Sequence, residues 1–261
     1  MMTLQFSRIP FAEFQPAYTQ HLYRLPARVD SFMEAHVKDG NFYQISLNNA
    51  TLGYASIHNE ALITSFFLAP THARFAQPAF WQLRRMEKVT SAFVPSCDEF
   101  FLTHALDEYS QLARQAYFFQ LGNPALAEKA RQGFRQTLAE PSDATLIETA
   151  SGDFFDNIAE RIARGELFLT WRDEQVVGFG IREMSAFYNE DGKRAASNGM
   201  FTLPAYRQQG VGSATIAGLI ALCQAQGVTP VSGCWYYNHL SKRTLEHAGM
   251  IATTRLFKVA F

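Results

Sequence analysis

The chain has 261 residues, 48 % of them hydrophobic and 18 % charged, with a formal net charge of -1. That is enough apolar material for two cores of about 130 residues each, and it excludes an intrinsically disordered chain. A near-neutral balance also argues against a nucleic-acid partner, which requires a basic surface.

In chain order, the first clear element is a strand from Phe42 to Leu47. It turns at Asn48-Asn49 and returns from Thr51 to Ile57, and a third strand covers Ala61 to Leu68. Beyond Pro70 the spacing predicts a helix over Gln77 to Met86, a short strand around Ser91 to Val94, and helix again from Phe100, with Leu106, Tyr109 and Leu112 on one face. Gln115 to Gln120 reads as a buried strand. Asn123-Pro124 is a helix start, with Asn as cap and Pro at the first helical position, and Leu126, Ala130, Phe134 and Leu138 form its apolar stripe. A helix near Phe155 to Ala163 ends at Gly165. Leu167 to Trp171 and Gln175 to Ile181 form a hairpin, and Ser185 to Ala196 is polar and loop-like. A strand from Gly199 to Leu203 leads into a helix from Val211 to Gln226, a strand from Val231 to Tyr237, a short helix from Leu240 to His247 and a last strand from Thr253 to Phe261.

The two halves follow one plan. Leu52-Gly53-Tyr54-Ala55 and Val177-Gly178-Phe179-Gly180 open equivalent hairpin strands, and Phe67-Leu68-Ala69-Pro70 matches Phe201-Thr202-Leu203-Pro204. Cys97-Asp98-Glu99 falls near the place of Tyr237-Asn238-His239. Two copies at this period indicate tandem domains, over 1–122 and 123–261, rather than a solenoid.

The copies differ after the shared proline. In the second, Leu203-Pro204-Ala205-Tyr206-Arg207-Gln208-Gln209-Gly210-Val211-Gly212-Ser213-Ala214 is a strand end, a basic glycine-rich turn and the start of an apolar helix. Glycine lets main-chain amides approach an anion, and a helix N-terminus favours negative charge. The structural alternative is tight strand–helix packing. A P-loop needs Gly-Lys-Ser/Thr, and the dinucleotide fingerprint needs a third glycine where Thr215 stands. The first copy has no Gly-x-Gly, and Pro78 lacks an amide hydrogen, so only the second copy is expected to bind a phosphorylated ligand.

The Arg-x-x-Gly-x-Gly spacing, followed by Asn238, Ser241 three residues later and Gly249-Met250 eleven later, resembles the GNAT superfamily of N-acyltransferases. The resemblance is firm from Thr145 to Phe261 and degenerate before it. It implies an α/β fold of two tandem GNAT-like domains, each a mixed, mostly antiparallel sheet flanked by helices, with a splayed sheet in the C-terminal one. It implies acetyl-CoA or another short acyl-CoA as co-substrate, bound at Arg207, Gln208, Gln209, Gly210, Val211, Gly212, Ser213 and Ala214. Main-chain amides from Met200 to Leu203, those of Phe201, Thr202 and Leu203 included, would hold the pantetheine arm and polarise the thioester carbonyl, with Asn238 and Ser241 beside the arm. The reaction implied is direct attack by a primary amine, of a small molecule or a protein, on the thioester.

Many GNATs place a proton-donating tyrosine seven residues after the motif asparagine; here that residue is Leu245. Tyr236, Tyr237 and His239 stand in by proximity, against packing roles for the two tyrosines, and Glu183 is the candidate base, against a solvated surface role. The missing tyrosine also keeps open a non-catalytic acyl-CoA sensor. The histidines show no metal-ligand spacing, so no metal is expected. Cys97, Cys223 and Cys234 are odd in number and form no C-x-x-C pair, which fits a reduced cytoplasmic setting, with Cys234 as a buried, inert thiol. Met1-Met2-Thr3-Leu4-Gln5-Phe6 lacks the features of a signal peptide, and no apolar run approaches the ~20 residues that span a bilayer, so no membrane partner is expected.

Overall fold

The structure, a computed structural model, describes residues 4–86 and 88–261. Met1–Thr3, where the reading of the N-terminus begins, lie outside the described residues. Its strands are β1 (Gln5–Ile9), β2 (Gly40–Leu47), β3 (Ala50–His58), β4 (Leu62–Leu68), β5 (Ser91–Pro95), β6 (Gln111–Leu121), β7 (Arg135–Leu138), β8 (Leu167–Arg172), β9 (Gln175–Met184), β10 (Ala195–Thr202), β11 (Thr229–Trp235) and β12 (Met250–Ala260). Its α-helices are α1 (Phe11–Leu22), α2 (Ser31–Lys38), α3 (Ala76–Arg84), α4 (Glu99–Leu106), α5 (Pro124–Ala130), α6 (Ala144–Ser151), α7 (Ile158–Ala163), α8 (Val211–Ala225) and α9 (His239–His247). Among the described residues, no helix is long and apolar enough to cross a membrane.

The chain divides into two units. Unit 1 comprises Met1–Tyr117, Ala186–Tyr188 and Thr254–Phe261, and unit 2 comprises Phe118–Ser185 and Asn189–Thr253. The C-terminal residues go with unit 1 because the end of β12 pairs antiparallel with β5, from Leu256↔Pro95 to Ala260↔Ser91. A division at residue 122 alone misses this.

In unit 1, β1 to β4 pair antiparallel in the order β1-β2-β3-β4. Asn48 and Asn49 make the β2–β3 turn at φ 50° and 66°, a region asparagine tolerates. The β4–β5 pairing is parallel and covers only Leu62↔Ser91 and Ile63↔Ala92. Ala76, Phe80 and Leu83 of α3 and Phe101 of α4 bury Ile45, Ile57, Ile63 and Phe66 on one sheet face. On the other, Phe14 and Tyr18 of α1 lie against Phe42 and Phe67. The spacing signals leave everything before Phe42 unassigned; α1 carries Pro16 in its interior and α2 is only 8 residues long.

Unit 2 repeats the plan with the order β11-β10-β9-β8-β7. β7, β8, β9 and β10 pair antiparallel, and β10 pairs parallel with β11. Two expected helices are shorter than their apolar spacing suggests. The one starting at Pro124 ends at Ala130, because Gly133 turns the chain at φ 79° and Arg135–Leu138 joins β8 as an edge strand. Leu126 and Leu138 are consequently exposed, so the expected stripe does not exist. Helix α4 likewise stops at Leu106, and Tyr109 and Leu112 are exposed at the start of a strand.

Three landmarks of the repeat coincide structurally. A Cβ at Gly53 would overlap the Phe67 carbonyl oxygen, and one at Gly178 would lie 2.7 Å from the Phe201 carbonyl oxygen. Pro70 and Pro204 each open a 3-10 turn. The Asp98 carboxylate accepts from the amide of Phe101 at 3.1 Å, as the Asn238 side chain does from Ser241 at 3.0 Å, so both residues cap the helix that follows. In unit 1, Asp98 also holds His21 at 2.7 Å, and His21 stacks on Phe67 at 4.5 Å.

The Cys97 thiol is pushed up to about 11 by burial and by the neighbouring Asp98 carboxylate, and burial also raises that of Cys223. Cys234 is half-buried rather than buried. The thiolate is the reactive form, so at pH 8 Cys97 should alkylate at less than about a hundredth of the free-cysteine rate in the native protein, Cys223 should also react more slowly than free cysteine, and both should react fully in denaturant. Peptide mapping after iodoacetamide treatment checks this; native labelling of Cys97 at the free rate contradicts it.

Candidate functional site

The site begins where β10 ends. Pro204–Tyr206 form a 3-10 turn, Gln208 adopts φ 61°, and Gly210 stands at φ 81° as the residue before α8. No side chain caps this helix. Gly210 is exposed, and a Cβ added there would meet nothing within 4 Å, so its glycine answers to backbone conformation. Gly212 answers to space: a Cβ there would lie 2.9 Å from Thr244 Cγ2 and 3.3 Å from Thr202 Oγ1. The first-turn amides of Val211, Gly212 and Ser213 therefore remain as donors at the positive end of a 15-residue helix.

Not every expected loop residue points at this end. The Ala214 amide bonds the Gly210 carbonyl at 2.9 Å, an ordinary helical bond, so it is not a donor to a ligand. The Ser213 hydroxyl donates to the Thr244 carbonyl at 3.0 Å and ties α8 to α9; only its amide is left. Gln209 accepts from Arg172 at 2.9 Å and donates to the Ala205 carbonyl at 3.0 Å. Arg207 and Gln208 are exposed, and Arg207 Nε reaches the Thr202 carbonyl at 3.4 Å. Arg172, which sequence reasoning treated only as hairpin turn, adds a second guanidinium beside the loop and lies 5.5 Å from the Tyr206 ring.

Beside this loop the sheet opens. β10 and β11 pair only through Ala195↔Thr229, Ala196↔Pro230 and Ser197↔Val231. β10 continues to pair with β9 as far as Thr202↔Gly178, so its other edge is unpaired from Asn198 onward. Antiparallel alternation fixes which amides face that edge. The Leu203 amide bonds Val177 on β9 at 3.1 Å, so the amides of Phe201 and Leu203 face β9 and those of Met200 and Thr202 face the opening. The side chains of Phe201 and Leu203 pack with Phe155 and Phe179 instead of lining the arm's path. Of the four residues expected there, Met200 and Thr202 present their amides and Phe201 and Leu203 do not. At the closed end lie two polar side chains that sequence reasoning did not single out: Asn198, 5 % exposed with only a 3.8 Å contact to Cys223 Sγ, and Ser232, fully buried with no partner for its hydroxyl among the described residues.

Asn238 lies just past β11, exposed, with its Oδ1 on the Ser241 amide. Tyr237 is half-exposed, and its ring meets Tyr236 at 5.2 Å and Trp235 at 5.0 Å. Leu245 is 1 % exposed and belongs to the core, so that helical position presents no group to the opening. Glu183 is not free to act as a base. Its carboxylate accepts from Arg161 Nη1 at 2.8 Å, in a network that also holds Asp156 and Glu166. Burial alone would weaken the Arg161 charge, but its bonds to Glu183 and Asp156 outweigh that and hold it firmly protonated. Among the described residues, no group of His, Cys, Asp and Glu is arranged to hold a metal ion.

Two family descriptions match, "Acetyltransferase (GNAT) domain" over residues 11–122 and "Acetyltransferase (GNAT) family" over residues 127–250. A comparison with curated proteins finds no match. Among solved structures, a GNAT-family acetyltransferase from Colwellia psychrerythraea superposes with a TM-score of 0.86 at 16 % identity, covering 98 % of this chain and 99 % of that one. A tandem GNAT protein from the clavulanic acid biosynthesis pathway gives 0.64 at 12 % identity, covering 99 % and 98 %. A GCN5-related N-acetyltransferase from Sphaerobacter thermophilus gives 0.62 at 12 % identity, covering 98 % and 94 %. At these identities the structures speak for the fold, and the matched families speak for descent: the chain belongs to the GNAT acetyltransferase family and carries two of its domains in tandem.

Proposed function

We propose that unit 2 is an acyl-CoA-dependent N-acyltransferase, acting with acetyl-CoA or another short acyl-CoA on a primary amine of a small molecule or a protein. The observation that carries the reading is the exposed, uncapped start of α8 at Gly210, set beside strands that part after Ser197 and Val231. The family uses acetyl-CoA as co-substrate, and the residues present suit it. The amides of Val211, Gly212 and Ser213, with Arg207 and Arg172 nearby, suit a pyrophosphate. The Met200 and Thr202 amides suit the amide groups of a pantetheine arm, and the one nearer the thioester suits the charge developing on its carbonyl oxygen.

In this reading the amine nitrogen attacks the thioester carbonyl, the carbon–sulfur bond breaks, and the nitrogen loses a proton while the departing sulfur gains one. Much of the acceleration comes from holding the two reactants together. With Glu183 tied to Arg161, the amine loses its proton to solvent. Tyr237, half-exposed two residues past β11, is the phenol assigned to the sulfur, with the Tyr236 ring 5.2 Å from its own. A thiol pKa of about 8.5 makes that assistance modest.

Leu245 favours one other reading, a non-catalytic acyl-CoA sensor. Thiol release from acetyl-CoA across a panel of amines separates the two, since binding without turnover identifies the sensor.

Calorimetry should show acetyl-CoA binding that Gly212→Asp weakens at least thirtyfold, and that Arg207→Gln, with its fold intact by circular dichroism, weakens about fivefold. Unchanged affinity in both variants contradicts the loop assignment. For turnover, Glu183→Gln should change kcat less than threefold, whereas Tyr237→Phe should lower it about tenfold with little change in KM. The reverse pattern would return the base role to Glu183.

A further inference from the structure

Under α8 the sheet carries polar side chains in a place that packing alone could fill. Gln136 on β7, Thr170 on β8 and Gly178 on β9 stand side by side in the antiparallel register, so all three face α8. Val211 of α8 lies against Gly178, its Cγ1 3.1 Å from where a Cβ would stand. Thr170 and Thr215 are fully buried, and their hydroxyl oxygens are 2.8 Å apart. Thr215 Oγ1 also donates to the Val211 carbonyl at 2.9 Å. A hydroxyl has one hydrogen, so Thr170 is the donor in the hydroxyl pair. Gln136 Nε2 donates to the Thr215 carbonyl at 2.8 Å. That bond depends on Gly218, where a Cβ would overlap the Gln136 side-chain oxygen.

Unit 1 builds the same place from apolar groups. Gly53, the counterpart of Gly178, is in register with Ile45, and Ile45 with Phe6, so these stand where unit 2 has Thr170 and Gln136. Phe80 comes four residues after the first residue of α3, as Thr215 does in α8, and it shares a cluster with Ile45 and Phe6. The plan therefore packs without hydrogen bonds here, and the unit that has them is the unit with the uncapped glycine turn. Apolar packing is non-directional, whereas hydrogen bonds fix a helix along and about its axis. The Val211 carbonyl also belongs to the same peptide unit as the Gly212 amide. A bond donated to that oxygen polarises the Gly212 N–H. The chain of bonds from Thr170 through Thr215 thus ends on one of the three first-turn donors.

We propose that Thr170, Thr215 and Gln136 are positioning residues for coenzyme A: they fix the first turn of α8 on the sheet and strengthen the Gly212 amide as a donor to the diphosphate. This rests on the acyl-CoA reading above and adds residues that act on the ligand only through α8.

The test is calorimetry with coenzyme A on the full chain, beside amide NMR of the ligand-free protein. Thr170→Val keeps the shape and removes the donor; it should weaken coenzyme A about fivefold and move the Gly212 amide proton upfield. Thr170→Ser should restore both. Gly218→Ala displaces Gln136 yet favours the helix, so it should weaken coenzyme A about threefold without lowering Tm, and add nothing in a Gln136→Ala background. This second pair decides the matter should Thr170→Val fail to fold. Normal coenzyme A affinity in Thr170→Val or in Gly218→Ala, an unmoved Gly212 resonance, or a loss that Thr170→Ser does not restore overturns the positioning role and leaves the acyl-CoA reading standing. Absence of coenzyme A binding in the unsubstituted protein overturns both.

Discussion

The pairing between β10 and β11 stops after three residues, and the rest of unit 2 is arranged around that stop. A parallel pair that continued to Thr202 would satisfy the amides of Met200 and Thr202 and close the sheet. Ending at Ser197↔Val231 leaves those donors on an open edge. Helix α8 starts beside that edge with a left-handed glycine and no cap, so two sets of main-chain donors remain available close together. Buried or half-buried donors without partners cost free energy, of the order of 1–3 kcal/mol each. A fold that keeps several at one place is arranged for a ligand that supplies the acceptors.

The two copies make an internal control. Both open their sheets after a short parallel pairing, both turn at a proline, and both cap the following helix with an Asp or Asn side chain. In unit 1 the turn after Pro70 has no glycine, and Phe75 precedes α3 without a cap at φ -97°, not in the left-handed region that Gly210 occupies. The aromatic at the strand end is covered by Tyr18 and His21, and the cap residue has exchanged an amide for a carboxylate that binds His21. At these positions unit 1 places side chains of its own where unit 2 leaves main-chain amides and a strand edge open.

Much of this was legible in the sequence. The hairpins showed as alternation broken by Asn48-Asn49 and by Arg172-Asp173-Glu174. Helix α8 showed as a long uncharged run between Gly210 and Gly227, and Asn238 as a cap. What was not legible depends on contacts between residues distant in sequence. Glu183 looked available until Arg161, 22 residues earlier, was found on it. Leu126, Ala130, Phe134 and Leu138 keep helical spacing across Gly133, and only the pairing with β8 turns the last part into a strand. The Ala214 amide illustrates the finer limit, since the position where helical bonding begins decides which amides of a glycine-rich turn stay free.

The central claim is that main-chain donors of two elements, the start of α8 and the unpaired edge of β10, together hold one coenzyme A molecule. Amide-resolved NMR with and without coenzyme A tests it most directly. The account predicts shifts and slowed hydrogen exchange at Val211, Gly212 and Ser213 and also at Met200 and Thr202, with Phe201, Leu203 and Ala214 unchanged in exchange. Protection confined to other residues, or none at either element under saturating coenzyme A, would contradict it.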